Sequence, residues 1–312
     1  MRIFFRDDGR LRAGWRVTFY LLTYLLGLIA GQLVILTTYS VVILLRGQAT
    51  MAELTARLLA LDLPLGLLAI LKVADVLWVL LLTWLFARIL DRRKLADYGL
   101  RTTKGWLADV GLGFGLGAAQ IVVYVAVVWI GGWVVLAVPP AGELGARLGA
   151  ALLGLVFFCL VALGEELLFR GYVQTHLGEV MPAAIAVGIT SLLFALLHGL
   201  NANLSWLGML NIALAGVAMG VGYWAAGSLW LPMAYHLGWN LVMGSLFGLP
   251  VSGIRFRGLL IAADYGRLPW LTGDTFGPEG GLLATLLLLG TVGVFWWRGK
   301  RKTSFARSGR SE

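Results

Sequence analysis

The sequence predicts an all-α fold, a polytopic integral membrane bundle of about eight helices, and three observations carry that reading. Of 312 residues, 59% are hydrophobic and only 13% charged, where soluble domains carry roughly 25% charged residues. Several nearly uncharged stretches exceed about 18 residues, enough to cross a bilayer core at about 1.5 Å of rise per residue. The cations, finally, are not spread but crowded into three places, each against an apolar run. These are Arg2, Arg6, Arg10, Arg12 and Arg16; Arg88, Arg92, Arg93, Lys94, Arg101 and Lys104; and Arg298, Lys300, Arg301, Lys302, Arg307 and Arg310. A formal charge of +9 and a pI near 10.0 therefore describe cytoplasmic anchors obeying the positive-inside rule against anionic headgroups. No module that reads nucleic acid accompanies the charge, so a nucleic-acid partner is excluded.

The elements follow in order. Val17–Leu45 forms a first span, too long for the h-region of a signal peptide, which runs about 7–15 residues. Arg46–Asp62 is a polar connection, and Pro64 opens a second span that ends near Leu90. Within it, Lys72 and Asp75 lie three apart and can pair on one helix. A third span, Trp106–Val138, holds Gly111, Gly113, Gly115 and Gly117, spacings at which small residues let helix backbones approach. No strand precedes these glycines, which excludes a nucleotide cradle. Pro139 and Pro140 break the chain, and a fourth helix runs from about Gly145 to His176. A fifth covers Pro182–His198, a sixth Trp206–Ala226 and a seventh Leu231–Leu249. Residues 251–279 read as a long extramembrane loop, and the last span, Gly281–Trp297, ends in an aromatic and basic anchor. Eight spans place both termini on the cytoplasmic side of the cell membrane. The organisation is an N-terminal region of three spans (1–144), a central core (145–247), and a loop, last span and basic tail (248–312). Cys159, the single cysteine, permits no intrachain disulfide and reads as a small buried apolar residue.

Three stretches carry polar groups that an apolar bundle tolerates only with partners. In the first, Glu165 and Glu166 precede Arg170. A charged residue at the centre of a membrane helix costs on the order of 2.5–3.5 kcal/mol even on the lenient insertion scale. Glu166 and Arg170 are four apart, acid first, and form an ion pair on one face. Glu165 lies about 100° further back round the helix and needs another partner. The second stretch sets Phe194 four residues before His198, and the third sets His236 four before Asn240, each pair on one helical face. Two of only three histidines fall here; the remaining one, His176, reads as a core residue. Converging in the middle third of the bilayer, a carboxylate, two imidazoles and a carboxamide can activate water and hold an oxyanion. Their spacing is not the HExxH of a soluble zinc peptidase, where both histidines sit on one helix.

In order on successive hydrophobic helices, these three motifs resemble those of the CPBP (Abi) family, which comprises CAAX-type prenyl endopeptidases and bacteriocin-processing enzymes. The resemblance covers roughly residues 145–247. It implies an intramembrane endopeptidase acting on a membrane-embedded peptide or protein, of which prenylated CAAX tails are the best-known class. It further implies that Glu165 and His198 activate the attacking water, that His236 and Asn240 stabilise the oxyanion, and that Glu166, Arg170 and Phe194 support the site. The family is commonly classed with metallopeptidases, so two readings of the chemistry stand. Glu165, His198 and His236 could be three ligands of a catalytic zinc with an open position, or the glutamate–histidine pair acts on water without metal. Outside the enzyme class, the same fold could serve as a non-catalytic membrane scaffold or bacteriocin-immunity protein. A transporter using these charges as a proton relay is disfavoured by the lack of an inverted repeat.

Overall fold

The computed structural model describes residues 11–59, 63–102, 104–263 and 268–308; Arg2, Arg6, Arg10 and Arg310 of the basic clusters lie outside them. The chain divides into two compact units, Met1–Leu95 and Ala96–Glu312.

In the first unit, α1 (Ala13–Leu45) and α3 (Leu65–Phe86) form the first two apolar helices. A few polar contacts fix how they pack. Tyr20 and Thr83 hydroxyls meet at 2.6 Å, and Trp78 Nε1 donates to the Tyr24 carbonyl at 3.1 Å. Asp75 accepts from Tyr24 at 3.2 Å and pairs with Lys72 at 3.1 Å, the pairing that their three-residue spacing predicts. Where α3 ends in a π-turn (Ala87–Asp91), Arg16 reaches Asp91 at 2.9 Å with both side chains buried. The connection expected to be merely polar contains a further helix, α2 (Met51–Leu59). Thr50 and Glu53 cap it reciprocally. Thr50 N and Oγ1 donate to Glu53 Oε2 at 2.8 and 3.0 Å, and Glu53 N donates to Thr50 Oγ1 at 3.2 Å. Those bonds hold the exposed Glu53 carboxyl below the usual carboxylate range.

The second unit contains α4 (Trp106–Ile130), strand β1 (Val135–Ala137), α5 (Leu144–Glu166), α6 (Thr175–Gly178), α7 (Ala183–Leu197), α8 (Trp206–Ala226), α9 (Trp230–Asn240), β2 (Ile261–Ala263), α10 (Pro269–Thr272) and α11 (Leu282–Ser308). The two strands pair antiparallel with Val135 opposite Ala263. A π-helical stretch, Leu167–Gln174, joins α5 to α6, so that one continuous helix carries the acidic pair. A second π stretch, Leu241–Leu246, continues α9.

Six helical segments among the described residues are long and apolar enough to cross a membrane: 13–45, 65–91, 106–130, 141–178, 206–226 and 282–301. The fold is thus all-α and multi-pass, as expected, but the span count is six rather than eight. The two that fall away are the fifth and seventh, which carry His198 and His236. Helix α7 has 15 residues, about 22 Å at the helical rise, short of a bilayer core of about 30 Å. Helix α9 has 11 and buries Leu231, Pro232, Ala234, Tyr235, His236, Gly238, Trp239 and Asn240, leaving little side-chain surface for lipid. A helix apolar on every side is equally at home in lipid or inside protein, and the sequence pattern does not separate the two. Cys159, expected inside, is exposed on α5 beside the exposed Leu155 and Val156.

Close backbone approach explains how α9 is enclosed. A Cβ at Gly113 or Gly117 of α4 would stand 2.4 Å from the carbonyl oxygens of Leu231 and Tyr235, and one at Gly238 of α9 would stand 2.4 Å from that of Phe114. Gly111 and Gly115, on the other side of α4, face open space. A buried polar network seals the contact. Tyr235 donates to Gln120 Oε1 at 2.9 Å, and Gln120 Nε2 donates to the Leu287 carbonyl and Thr291 Oγ1 at 2.8 and 2.9 Å, tying α4, α9 and α11 together. Gly117→Ala is therefore expected to destabilise the protein by about 1–3 kcal/mol, the usual range for overpacking. Gly115→Ala should be neutral or mildly stabilising, since alanine is the better helix former by roughly 0.5–1 kcal/mol. Paired thermal melts in detergent decide the point.

Residues 247–281 cap one end of this unit. Arg147, at the start of α5, donates to the Gly258 carbonyl at 2.7 Å. Leu259 N donates to the Ser245 carbonyl at 2.8 Å, Tyr124 to that of Thr272 at 2.5 Å, and Asn201 Nδ2 to that of Ser252 at 3.2 Å. The stretch read as a loop is thus a packed cover over the ends of α4, α5, α7 and α9. Its residues 264–267 lie outside the described ones.

Candidate active site

Glu165 and Glu166 end the regular part of α5, immediately before the hydrogen bonding widens into the π stretch. Such π segments recur at functional sites because the extra residue per turn re-aims the side chains around it. The second π stretch begins immediately after Asn240, so both polar motifs sit at an α-to-π junction.

Glu166 and Arg170 have fully buried side chains and pair at 3.1 Å, as their spacing predicts. Arg170 also donates through NH2 to the Gly216 carbonyl of α8 at 2.9 Å, and its guanidinium lies 4.6 Å from the centroid of the Phe194 ring. One arginine therefore ties α5, α7 and α8. Glu166 does more than balance that charge, because its Oε1 also accepts from His236 Nδ1 at 3.1 Å. It holds a site imidazole as well as the arginine.

Phe194 has two functions here as well. Its ring packs at 4.5 Å against the His198 imidazole, and its carbonyl oxygen accepts from His198 Nδ1 at 2.7 Å. A carbonyl cannot donate, so Nδ1 carries the proton and His198 Nε2 is left as an acceptor when the ring is neutral.

With both Nδ1 atoms committed, both Nε2 atoms turn to the same group. His198 Nε2 is 3.8 Å and His236 Nε2 is 3.9 Å from Glu165 Oε2. The side chains of Glu165, His198 and His236 retain 19%, 17% and 10% of their surface, enough for solvent to reach all three. Glu166 retains none, and this difference in access separates the two adjacent acids. Asn240, one turn beyond His236, is buried, and its carboxamide makes no hydrogen bond among the described residues. His176, read as a core residue, is fully buried on α6 and lies 3.3 Å from the Tyr98 hydroxyl.

One partly buried acid of the cap escaped the sequence reading. Glu279, in the cap just before α11, accepts at Oε2 from Ser252 N and Oγ, both at 2.7 Å. Burial pushes its carboxyl up from the usual range, while the Ser252 bonds pull the other way. Its only sequence signal is its place before an apolar run.

The donor set of Glu165, His198 and His236 has the chemistry of a zinc site, and the acceptors on the two Nδ1 atoms are the kind that hold zinc-bound imidazoles. The spacing does not fit. Zinc–ligand bonds of about 2.0–2.1 Å in a tetrahedron separate donor atoms by about 3.3–3.4 Å, and these stand 3.8 and 3.9 Å apart. No group of three histidine, cysteine or acidic side chains among the described residues is arranged to hold a metal ion.

Residues 147–242 match the family model described as type II CAAX prenyl endopeptidase Rce1-like. No curated protein and no solved structure matches the chain. The matched segment includes every residue of the cluster.

Proposed function

We infer that the chain, a member of the Rce1-like type II CAAX prenyl endopeptidase family through its residues 147–242, is an intramembrane peptidase that hydrolyses a peptide bond of a membrane-held substrate. The observation that carries this reading is a solvent-reached carboxylate, Glu165, faced by two imidazole nitrogens whose partner nitrogens are already bonded. Its distances to them exceed a direct hydrogen bond, so a water held among the three lies within reach of a base. Glu165 takes the proton of that water, with His198 Nε2 as the acceptor that orients it. As the carbonyl carbon becomes tetrahedral, negative charge develops on its oxygen. Asn240 Nδ2, a donor with no partner among the described residues, and a doubly protonated His236, whose Nδ1 is held by Glu166, supply the oxyanion site. Glu166, Arg170 and Phe194 hold these groups in place. The substrate class taken from the family is a prenylated CAAX-type tail, and no step here depends on the prenyl group.

The same reading sets the orientation of the second unit. Arg298 pairs with Asp109, which brings the end of α11 beside the start of α4. Arg101, Lys104, Arg298, Lys300 and Arg301 thereby share one end, the cytoplasmic one under the positive-inside rule, and the 247–281 cap lies at the other.

Incubating the purified protein with a panel of prenylated and unmodified peptides, with products read by mass spectrometry, tests the function. Cleavage at one defined bond is the expected result. Binding without cleavage of any peptide would favour a scaffold or immunity protein instead. Because the donors are spaced more widely than in a regular zinc tetrahedron, prolonged chelation is expected to leave cleavage unchanged. Activity lost on chelation and restored by stoichiometric zinc would overturn the metal-free reading.

A further inference from the structure

Helix α7 leads into a site residue, His198, and it is too short for an ordinary bilayer. Its outward side is a continuous apolar stripe, with Ile185, Ile189, Leu192 and Leu196 exposed at successive turns. The helix's own polar side chains are buried and satisfied: Thr190 Oγ1 donates to the Ala186 carbonyl at 2.7 Å, and Ser191 Oγ to that of Val187 at 2.6 Å. The backbone sets the height of the stripe. Regular α-helix covers only Ala183–Leu197, with Pro182 before it, a rise of about 22 Å. Beyond His198 the chain turns tightly through Asn201, Asn203 and Ser205, with Asn203 in the left-handed region at φ 61°. Asn203 and Ser205 are exposed. Irregular backbone facing hydrocarbon would leave its polar groups without partners, so acyl chains stop where the helix stops. A helix too long for its bilayer tilts; one too short thins the bilayer or hides its sides against another protein.

The tryptophans give a second measure of height. They gather at the two surfaces of a bilayer. Helix α8 packs directly behind α7, where a Cβ at Gly216 would stand 2.9 Å from Ser191. Its exposed Trp206 and Trp224 are about 27 Å apart along the helix. On α4 the half-buried Trp106 and the exposed Trp129 are about 34 Å apart. The difference of about 7 Å is close to what α7 lacks against a bilayer core of about 30 Å.

We propose that the apolar face of α7 binds lipid and thins the bilayer beside the site, bringing the surface of the thinned leaflet down to His198. The residue that closes α7 then stands at the boundary between hydrocarbon and headgroups. Water reaches its half-exposed imidazole, and Glu165 3.8 Å away, from the headgroup layer without crossing acyl chains. The membrane part of this proposal stands by itself; its consequence for the site rests on the peptidase reading above.

The test uses the full chain in nanodiscs of phosphatidylcholine whose monounsaturated chains run from about 14 to 22 carbons, a series that increases the mismatch. In a Cys159→Ser background, spin labels are attached to Val180→Cys, Leu192→Cys and Leu200→Cys. Val180 and Leu200 are exposed just beyond the two ends of α7, and Leu192 lies on the stripe between them. Collision with oxygen and with a water-soluble nickel chelate reports the depth of each label. The label at 192 is expected to meet oxygen freely and nickel hardly at all, while those at 180 and 200 stay at headgroup level in every lipid. A label at 180 or 200 that sinks away from nickel as the chains lengthen would show a bilayer that does not thin, and would overturn the proposal. So would a label at 192 shielded from both reagents, the sign of a protein partner or a second copy on this face. The second readout is cleavage of a prenylated CAAX-type peptide by the wild type in the same series. The rate is expected to be highest in the short-chain lipids and about tenfold lower in the longest, since each ångström of mismatch costs a fraction of a kcal/mol. A rate independent of chain length, or highest in the thickest bilayer, would overturn the link between thinning and the site. No cleavage in any lipid would overturn the peptidase reading, while the label depths would still decide whether α7 thins the bilayer.

Discussion

Glu165→Gln is expected to abolish peptide cleavage while leaving the protein folded and inserted. The substitution keeps the volume and planar shape of the side chain, so the packing at the end of α5 is undisturbed. What it removes is the one lone pair basic enough to take a proton from water. A carboxamide facing the two Nε2 atoms at 3.8 and 3.9 Å can still bind a water but cannot deprotonate it. The loss should be at least about 10²–10⁴-fold in kcat, the contribution of a positioned general base, with little change in KM. Glu166→Gln makes the instructive contrast. Glu166 is shut off from solvent and bonded to Arg170 and His236, so its loss should lower stability together with activity. Parallel melts and rates for the two variants separate a group that acts on water from one that holds its neighbours. Full activity in Glu165→Gln would sink the role given to it.

Much of this arrangement can be read from the chain, because it depends on local spacing. The Glu166–Arg170 pair, the Lys72–Asp75 pair, and the close approach at Gly113 and Gly117 all follow from residues three or four apart on one helical face. Hydropathy likewise yields the multi-pass all-α class and five of the six spans nearly to their ends. Hydropathy cannot tell lipid from protein as the solvent of a helix. Hence α7 and α9 read as spans, whereas α9 lies inside the unit and buries His236 rather than presenting apolar side chains to a bilayer. Cys159 shows the same ambiguity in reverse, an apolar residue placed outside where inside was expected. The rest depends on contacts between distant parts of the chain. That Glu166 serves His236, 70 residues later, and that Glu279 reaches Ser252, 27 residues earlier, leave no periodic trace. Phe194 contributes to His198 through its carbonyl oxygen, which no side-chain pattern records.

Arg170→Ala is expected to give the largest loss of folded protein of any single change in the site. Arg170 and Glu166 are both fully buried, and removing one member of such a pair costs about 3–5 kcal/mol, because the other charge stays behind without compensation. The effect is not confined to the pair. The Gly216 carbonyl of α8 loses its donor, and the Phe194 ring loses a cation over its face, a contact worth about 0.5–2 kcal/mol. Arg170→Lys should rescue little. A lysine ammonium is a point charge, and it cannot span Glu166 and Gly216 as the planar guanidinium fork does. The decisive variant removes both charges. Glu166→Leu with Arg170→Met replaces the buried pair by apolar side chains of similar size, a change that is often neutral or stabilising, so folded yield should recover. Activity should not recover, because His236 Nδ1 has lost the acceptor that orients the ring. Size-exclusion profiles and melting temperatures of the single and double variants, measured beside their cleavage rates, test both halves of the argument. Normal melting in Arg170→Ala would mean that Glu166 is held by something other than this arginine. Full cleavage by the folded double variant would mean that Glu166 does not orient His236.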